Sequence, residues 1–197
     1  MSPEYRRYRR FYAVCWFLLG LFFKFDLRGR ENVPRGAAMV CANHSSNLDP
    51  FILPFAFGRD EHPHMLGKAE IFKIPLAGKF FKGIGMFSVD RGISDTTAVR
   101  TILAYLKNGE KVVIFPEGHR VSESESVAAK SGALRLADKT GVPIVPVYIP
   151  RKKRIFSRIS IVIGEPYFID PEKEKLSAED FTRAAAELMA RIEALRP

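Results

Sequence analysis

A histidine and an aspartate five positions apart, His44 and Asp49, are the first residues of this chain whose types and spacing suit chemistry. A carboxylate that bonds one imidazole nitrogen fixes the tautomer of the ring and leaves its other nitrogen ready to take a proton from a hydroxyl. Residues at this spacing do not share a helix face, so the pair forms only if His44 lies in a loop and Asp49 starts a helix that folds back onto it. The string alone is weak evidence, since two polar loop residues give the same pattern.

Two arginines that follow predicted strands suggest an anion site nearby. Arg91 comes directly after Asp90 at the end of one strand, and Arg120 closes the segment F-P-E-G-H-R, residues 115–120, after another. Guanidinium groups bind phosphate through paired hydrogen bonds, so two of them at one sheet edge would form an anion clamp. Either arginine alone is equally typical of a surface salt bridge.

The elements that must position these residues alternate between strands and helices. Apolar runs bounded by turn residues predict strands over 37–42, 86–89, 111–115, 144–149 and 155–163. Helical spacing and end signals predict helices over 49–57, between Asp95 and Gly109, over 132–139 and over 178–195. This order indicates an α/β fold with a mostly parallel or mixed sheet flanked by helices. In such folds the loops beyond the carboxyl ends of the strands carry the chemistry, and His44, Arg91 and Arg120 stand in three of these loops.

The amino-terminal segment, residues 1–28, is predicted to be a membrane-anchoring helical segment, followed by a single domain over residues 29–197. Four arginines among residues 6–10 precede the uncharged run 11–23, which as a helix would be about 20 Å long. The hydrocarbon core of a bilayer is about 30 Å thick, so the run predicts an anchor that enters one leaflet. Aromatic residues mixed with arginines suit the headgroup boundary. An ordinary buried helix is the alternative.

The charge of the chain calls for an anionic partner. Its 197 residues carry a formal net charge of +9, and the pI is near 9.7, which suits nucleic acid, anionic lipid or a phosphorylated substrate. No predicted helix has a concentrated basic face, and no Walker A or zinc-ligand spacing occurs, which argues against nucleic acid. The basic run 151–154 is predicted to meet anionic lipid, coenzyme A phosphates or an acidic carrier protein, or simply to be solvated.

Cysteine and histidine usage predicts no metal site. Cys15 and Cys41 lie in apolar surroundings without a CxxC pair, which is typical of reduced, buried thiols in a cytosolic compartment. His62 and His64 flank Pro63 and are predicted to be solvated loop residues without a further role.

Four ordered blocks are together more specific than any one of them. They are the His44-to-Asp49 block, F-S-V-D-R at 87–91, F-P-E-G-H-R at 115–120 and V-P-I-V-P-V at 142–147. This arrangement runs through most of the chain and resembles the glycerolipid acyltransferase family, whose central members are the 1-acyl-sn-glycerol-3-phosphate acyltransferases.

The resemblance implies that His44 is the general base and Asp49 its partner in acyl transfer to the hydroxyl of a lysophospholipid. Four residues are implied in binding the substrate phosphate: Arg91, Glu117, Gly118 and Arg120. Five are implied in an acyl-side wall: Val142, Pro143, Ile144, Val145 and Pro146. No metal and no bound cofactor are implied. The acyl donor would be acyl-CoA or acyl carrier protein, and the protein would sit on anionic lipid at the cytoplasmic face of the cell membrane.

Several alternatives stay open at this point. The family commonly has threonine at the position of His119 and often serine at that of Val121. These departures leave three possible acceptors: 1-acyl-sn-glycerol 3-phosphate, glycerol 3-phosphate or another lysolipid. The first of these would give phosphatidic acid. Residues 51–57 line an acyl groove or pack the core, and backbone amides near Gly118 or Asn43 are candidate oxyanion donors. A non-catalytic membrane-binding module would explain the anchor and the charge, but it would leave the histidine and aspartate idle.

Overall fold

The computed structural model describes residues 2–89, 96–122, 127–170, 172–173 and 175–197. Arg91 and the predicted helix cap at Asp95 lie outside these ranges. A seven-stranded sheet forms the centre, in the order β1-β7-β6-β2-β5-β3-β4. In chain order the strands are β1 (Lys24–Arg28), β2 (Ala38–Ala42), β3 (His64–Lys68), β4 (Phe87–Val89), β5 (Lys111–Ile114), β6 (Ile144–Tyr148) and β7 (Arg158–Ile163).

The strand directions confirm the predicted mixed sheet. β6, β2, β5, β3 and β4 run parallel to one another, whereas β7 is antiparallel to β6 and carries β1 parallel to itself at the edge. β2 lies in the middle, where Val40 pairs with Val113 on one side and Val145 on the other. Every residue of β2 is buried, because a parallel sheet with helices on both faces has no solvated side.

Helices cover both faces of the sheet. They are α1 (Pro3–Gly20), α2 (Asp49–Phe57), α3 (Ala69–Lys73), α4 (Ala77–Gly83), α5 (Thr96–Lys107), α6 (Gly132–Thr140) and α7 (Ala178–Ala194), with a short 3-10 turn over Arg30–Asn32. Val40 and Ala42 face a core built with α1 and α2, and the alternate residues Met39 and Cys41 face a second core built with α5, α6 and α7. The predicted α/β architecture is therefore confirmed as three layers.

Helix α2, which positions the candidate site, spans the predicted range Asp49–Phe57. Pro50 stands in its first turn, where the missing N–H costs nothing and the fixed φ suits a helix. At the other end, the guanidinium of Arg30 donates to the carbonyl oxygens of Phe55 at 2.6 Å and Ala56 at 3.0 Å. These bonds satisfy carbonyls that have no partner within the helix.

Some elements were not predicted. Residues 24–28, assigned from the sequence to the anchoring segment, form the edge strand β1 and pair with β7. Strand β3 and the short helices α3 and α4 lack the periodic apolar pattern that marks the longer elements. The prediction for His64 was wrong: it begins β3 and is 3% exposed, because it packs inside the sheet instead of in a solvated loop.

Helix α1 has one face on the domain and one face outward. Tyr8, Phe11 and Tyr12 are buried in the core that α1 shares with α2. The outward face and the turn that follows expose large apolar side chains: Val14, Trp16, Phe17, Leu18, Leu21 and Phe22. Among the helices of the described residues, none combines the length and the apolar character needed to cross a bilayer.

Candidate active site

His44 and Asp49 meet beyond the carboxyl end of β2. The chain leaves the strand at Ala42, and the Nδ1 atom of His44 lies 2.8 Å from the Oδ2 atom of Asp49 at the start of α2. The backbone N–H groups of Ser45 and Ser46 donate to the same oxygen, each at 2.8 Å. The loop thus wraps around the carboxylate, which brings the two side chains together across the five-residue spacing.

The Asp49 carboxylate is held ionised despite its burial. Burial alone would raise its pKa, but the hydrogen bond from His44, the charge of Lys153 and the Ser45 N–H together lower the pKa below the usual range. An ionised carboxylate only accepts hydrogen bonds, so the proton of a neutral imidazole sits on Nδ1 of His44. The other nitrogen, Nε2, then carries a lone pair that can accept a proton.

Lys153 lies behind the carboxylate, and its role was missed from the sequence. Its Nζ atom is 2.8 Å from Oδ1 of Asp49, and the side chain is 3% exposed. The same ammonium donates to the hydroxyl oxygen of Ser45 at 3.1 Å and to the carbonyl of Pro150 at 2.6 Å. In the basic run 151–154, Arg151 and Lys153 are partly buried while Lys152 and Arg154 are exposed. Side chains of an extended segment point alternately to opposite sides, and this alternation could have indicated from the sequence that Lys153 faces inward.

Two hydrogen bonds of Asn43 hold the segment around Lys153 close to the His44 loop. Its side-chain amide donates to the carbonyl of Ile149 at 2.7 Å and accepts the Ile149 N–H at 2.7 Å. This pair of bonds joins the end of β2 to the chain just beyond β6. Both groups are buried, so the connection is well shielded from water.

Glu117 fixes the backbone of His44. It is 1% exposed, accepts the His44 N–H at 2.5 Å and pairs with Arg151 at 3.0 Å. Burial raises the pKa of Glu117, against the opposing effects of the His44 N–H and of Arg151. The N–H of Val121 donates to the His44 carbonyl at 2.8 Å. Both peptide groups of His44 are therefore held by the loop after β5.

The same loop supplies a ring and a turn to the site. The Phe115 ring stacks on the His44 imidazole, with ring centroids 4.2 Å apart. Gly118 adopts a φ of +75°, a left-handed conformation that favours glycine, and its N–H donates to the carbonyl of Phe115 at 3.0 Å. That bond occupies the Gly118 amide itself, one of the backbone amides around Gly118 and Asn43 that the sequence suggested as oxyanion donors.

Arg120 stands at the surface beside the His44 loop. Its Nη1 atom donates to the side-chain oxygen of Asn47 at 2.9 Å, and the residue is exposed. Its predicted partner in the anion clamp, Arg91, falls outside the described residues.

A cavity of about 620 Å³ opens in front of His44. Its polar lining includes His44, Asn47, Lys68, His119 and Arg120. Its apolar lining includes Phe51, Leu66, Ile71, Phe81, Met86 and Phe115. The cavity therefore offers both cationic side chains and aliphatic and aromatic side chains to a molecule that reaches the imidazole.

The predicted acyl-side wall takes a different place. Ile144, Val145 and Pro146 are buried in β6, and Val142 and Pro143 lead into it. None of these five described residues lines the cavity at His44. Val145 packs into the core shared with α1 and α2, and Ile144 packs into the core on the other face of the sheet. Of the run 51–57, Phe51 lines the cavity and residues 52–57 are buried in the core.

Comparison with known proteins adds a family match and named relatives. A family model described as Acyltransferase matches residues 24–150. The chain is 33% identical over 165 residues to the 1-acyl-sn-glycerol-3-phosphate acyltransferase of Bacillus subtilis, covering 76% of this chain and 79% of that protein. It is 37% identical over 154 residues to a probable 1-acyl-sn-glycerol-3-phosphate acyltransferase of Mycoplasma pneumoniae, covering 75% of this chain and 57% of that protein.

Other similar proteins are a longer plant enzyme and a solved structure. A chloroplastic 1-acyl-sn-glycerol-3-phosphate acyltransferase of Arabidopsis thaliana is 31% identical over 74% of this chain and 42% of its own length. The match thus spans about half the length of these Mycoplasma and plant relatives. The crystal structure of the 1-acyl-sn-glycerophosphate (LPA) acyltransferase PlsC from Thermotoga maritima aligns with a TM-score of 0.70 and 26% identity, covering 97% of this chain and 78% of that one.

Proposed function

This chain belongs to the acyltransferase family, and on that premise we propose that it moves a fatty acyl group from an acyl thioester to the free hydroxyl of 1-acyl-sn-glycerol 3-phosphate. The product would be phosphatidic acid, in phospholipid biosynthesis. The observation that carries the proposal is the His44–Asp49 pair, bonded at 2.8 Å beside a cavity that is lined by both cationic and apolar side chains. A lysophospholipid combines the matching groups, a phosphate head and an acyl chain.

His44 acts as the general base in this proposal. Its Nε2 takes the proton of the acceptor hydroxyl as the oxygen attacks the thioester carbonyl carbon, and a tetrahedral oxyanion forms. When the intermediate collapses, the carbon–sulfur bond breaks and the leaving thiolate takes the proton from His44, which restores the neutral ring. The substrate hydroxyl is itself the nucleophile, so no protein serine is needed.

Asp49, Lys153 and Glu117 position the base without touching the substrate. Asp49 keeps the proton on Nδ1 and supports the imidazolium that forms during attack. Lys153 keeps Asp49 ionised, since its charge lies 2.8 Å from the carboxylate. We assign Glu117 to holding the His44 backbone in place of phosphate binding, because its oxygens already meet the His44 N–H and Arg151.

Arg120 is the proposed contact for the acceptor phosphate, together with Arg91. Its hydrogen bond to the neutral amide of Asn47 supports this role, since the amide leaves the positive charge of the guanidinium available. Gly118 contributes the tight turn that brings Arg120 to the cavity.

The acyl chain of the acceptor is proposed to lie among Phe51, Leu66, Phe81 and Met86, with Ile71 at the outer end. This placement differs from the wall over residues 142–146 that the family resemblance implies. Ile71 is 37% exposed and belongs to α3, which leads to further exposed apolar residues at Ile74, Leu76 and Phe80. The groove therefore continues into an apolar surface from which a lipid chain can enter.

That surface and α1 are the proposed membrane contact. A groove of about 620 Å³ between α1 and α4 is lined by apolar side chains and by Arg7, Arg10 and Lys79. Cations beside exposed Phe and Leu side chains match the boundary between anionic headgroups and acyl chains. We propose that α1 lies in one leaflet at the cytoplasmic face of the cell membrane.

The donor is proposed to be acyl-CoA or acyl carrier protein, with no bound cofactor. Lys152 and Arg154 are exposed on the segment that carries Lys153, and they offer cations to phosphate or to an acidic carrier surface.

A second candidate acceptor is favoured by His119, which lines the cavity where the family commonly has threonine. Glycerol 3-phosphate or another phosphate-bearing lysolipid would then be used.

The test is an acyl-transfer assay on the purified full chain in detergent. Labelled acyl-CoA and acyl carrier protein would each be offered with 1-acyl-sn-glycerol 3-phosphate, glycerol 3-phosphate and 1-acyl-sn-glycerophosphocholine. We expect phosphatidic acid to form fastest, and the His44→Ala variant to serve as the blank. Preferential use of the choline lysolipid, or no transfer to any acceptor, would contradict the proposal.

A further inference from the structure

A second cluster of chemistry-bearing side chains lies at the opposite edge of the sheet from His44, where the parallel strands begin. Glu4, His62 and His64 each direct a possible ligand atom to one point, and these atoms lie within 4.8 Å of one another. The Oε1 atom of Glu4 is 3.7 Å from Nδ1 of His64 and 4.0 Å from Nδ1 of His62. The predicted solvent-exposed role of both histidines is thus wrong, since their side chains are only 10% and 4% exposed.

Three separate elements bring the cluster together. Glu4 stands in the first turn of α1, His62 precedes β3, and His64 is the first residue of that strand. Gly85 closes the site from the turn before β4, with a φ of +84°. A Cβ atom at Gly85 would lie 2.5 Å from Nε2 of His62 and 2.8 Å from Oε1 of Glu4, so only glycine allows this close approach.

His62 is oriented as a metal ligand is. Its Nε2 lies 2.7 Å from the carbonyl oxygen of Ile84, which can only accept, so Nε2 carries the proton. The lone pair on Nδ1 then faces Glu4. Histidines that bind metals commonly donate their other N–H to a backbone carbonyl in this way, which fixes the tautomer and the ring direction. The Tyr8 ring packs 4.3 Å from the imidazole and limits its movement.

His64 has an acceptor on each side of its ring. Nε2 lies 2.5 Å from Oε2 of Glu110, and Nδ1 lies 3.1 Å from the carbonyl oxygen of Gly85 as well as near Glu4. When Nε2 donates its proton to Glu110, the lone pair of Nδ1 faces the Gly85 carbonyl and Glu4, and a cation between these groups would match all of them.

The nearby lysine does not meet that need. Lys111 lines the same cavity, but its Nζ pairs with Glu61 at 2.7 Å. Glu4 and Glu110 are the carboxylates that face the two rings. A cavity of about 420 Å³ adjoins the cluster and gives an ion and its water access to it.

We propose that Glu4, His62 and His64 form a binding site for a divalent transition-metal ion, with zinc the best match to two imidazoles and a carboxylate. Glu110 would accept the Nε2–H of His64 as the supporting carboxylate. Ligand atoms in a tetrahedral zinc site are about 3.4 Å apart, given bonds of about 2.1 Å. The separations of 3.7 and 4.0 Å from Glu4 therefore need to shorten only slightly, and the two histidine ligand atoms lie within 4.8 Å of each other.

The ion would tie the first turn of α1 to β3. It would lie away from the acyl-transfer cavity and would stabilise the attachment of the helix whose outer face meets the membrane in our proposal. The site itself does not depend on the acyltransferase assignment, because it rests on the geometry of residues that the reaction does not use.

The experiment is a titration of tag-free, chelator-stripped full chain with Co²⁺ and Zn²⁺. We expect one equivalent of Co²⁺ to bind at micromolar concentration or below, with visible absorption typical of nitrogen and oxygen ligands, and Zn²⁺ to displace it. Zn²⁺ should also raise Tm, because an ion that binds only the folded state stabilises it.

The Glu4→Gln variant should weaken metal binding by at least about 10–100-fold and should abolish the Tm rise. The Glu4 side chain is 41% exposed, so this substitution leaves the fold intact. His62→Gln is the second variant and should give the same loss. The control is Glu70→Gln, at a side chain 61% exposed on α3, which should bind as the unmodified protein does. Binding weaker than millimolar in the unmodified chain, or equal binding by the Glu4→Gln and control variants, would overturn the proposal.

Discussion

The ammonium group of Lys153 lies 2.8 Å from the Oδ1 atom of Asp49, and both side chains are buried behind the His44 imidazole. A carboxylate in such a place would be expensive to keep ionised without a partner. The lysine supplies that partner from a segment 104 positions away in sequence, which the Asn43–Ile149 bonds hold beside the loop. The carboxylate that orients His44 thus depends for its ionised state on a residue that does not line the cavity.

Replacing Lys153 by methionine should lower both stability and turnover. One partner of a buried ion pair is lost, which typically costs about 3–5 kcal/mol in the free energy of unfolding. The lost positive charge should also raise the pKa of Asp49, so the acidic limb of the kcat profile should move to higher pH. Urea unfolding and kcat between pH 4 and 9 measure the two effects. Lys139→Met, at an exposed lysine in the last turn of α6, should change neither, and equal behaviour of the two variants would refute the role of Lys153.

The Asp49→Asn variant should lose turnover while binding both substrates normally. The amide can donate a hydrogen bond to Nδ1 and so favour the wrong tautomer of His44, which removes the lone pair from Nε2. We expect kcat to fall by about 10²–10⁴-fold, the usual contribution of a positioned base. A variant altered only in the acceptor KM would argue against this role.

The same variant gives a pH test of the Asp49 environment. The folded-state pKa of Asp49 is depressed, so its ionic bonds contribute full stability above the unfolded value of about 3.9. The contribution is lost as pH falls through the lower folded-state pKa. The stability advantage of the unmodified protein over Asp49→Asn should therefore be large at pH 7 and should shrink below about pH 4. An advantage that stays constant down to pH 2 would contradict the depressed pKa.

Arg120→Lys should impair the acceptor side alone. Lysine keeps the charge but loses the planar pair of donors, so kcat/KM for 1-acyl-sn-glycerol 3-phosphate should fall. The fall should correspond to a loss of about 1.5–3 kcal/mol in transition-state stabilisation. The donor KM should stay unchanged, and the loss should shrink for a lysolipid without a phosphomonoester. An equal loss for both acceptors would mean that Arg120 is structural, and a lost donor affinity would mean that it binds coenzyme A.

The outward face of α1 should govern membrane binding. The Phe17→Asp/Leu18→Asp double variant alters side chains that are 67% and 50% exposed, so the fold should be unaffected. Each apolar side chain moved from water into lipid is worth about 1.5–3 kcal/mol, so binding to anionic vesicles should fall by at least about 10-fold. Val99→Asp, at an exposed apolar residue of α5, is the control and should still bind. Unchanged sedimentation of the double variant with vesicles would place the membrane contact elsewhere.

The sequence predicts the central strands and α2 well because their patterns are strong. β2 is a short continuous apolar run, and α2 starts at Asp49 with Pro50 in its first turn, so local signals agree with the tertiary structure. β1 and β3 carry charged or polar residues and are short, and their pairing is decided by the neighbouring strand. No local pattern marks them, which is why residues 24–28 were assigned to the helix segment.

The contacts of the candidate site also divide into those that the sequence predicts and those that only the tertiary structure brings together. The His44-to-Asp49 spacing is local, and the sequence shows it directly. The contacts of Lys153 and Glu117 join segments that meet only because β2 lies between β5 and β6. The family resemblance grouped Glu117 with the phosphate-binding residues as part of the block 115–120, and its side chain is buried against the His44 backbone.

The most direct measurement of the central claim is the single-turnover rate of the His44→Ala variant, followed as labelled acyl transfer to 1-acyl-sn-glycerol 3-phosphate. At near-saturating concentrations of donor and acceptor, the rate does not depend on how tightly either substrate binds. A urea unfolding curve would show that the variant is folded. We expect the rate to fall by at least about 10²–10⁴-fold, because no other group in the described part of the cavity is bonded to a buried carboxylate as His44 is. A folded His44→Ala protein that transfers acyl groups at the rate of the unmodified chain would contradict the account.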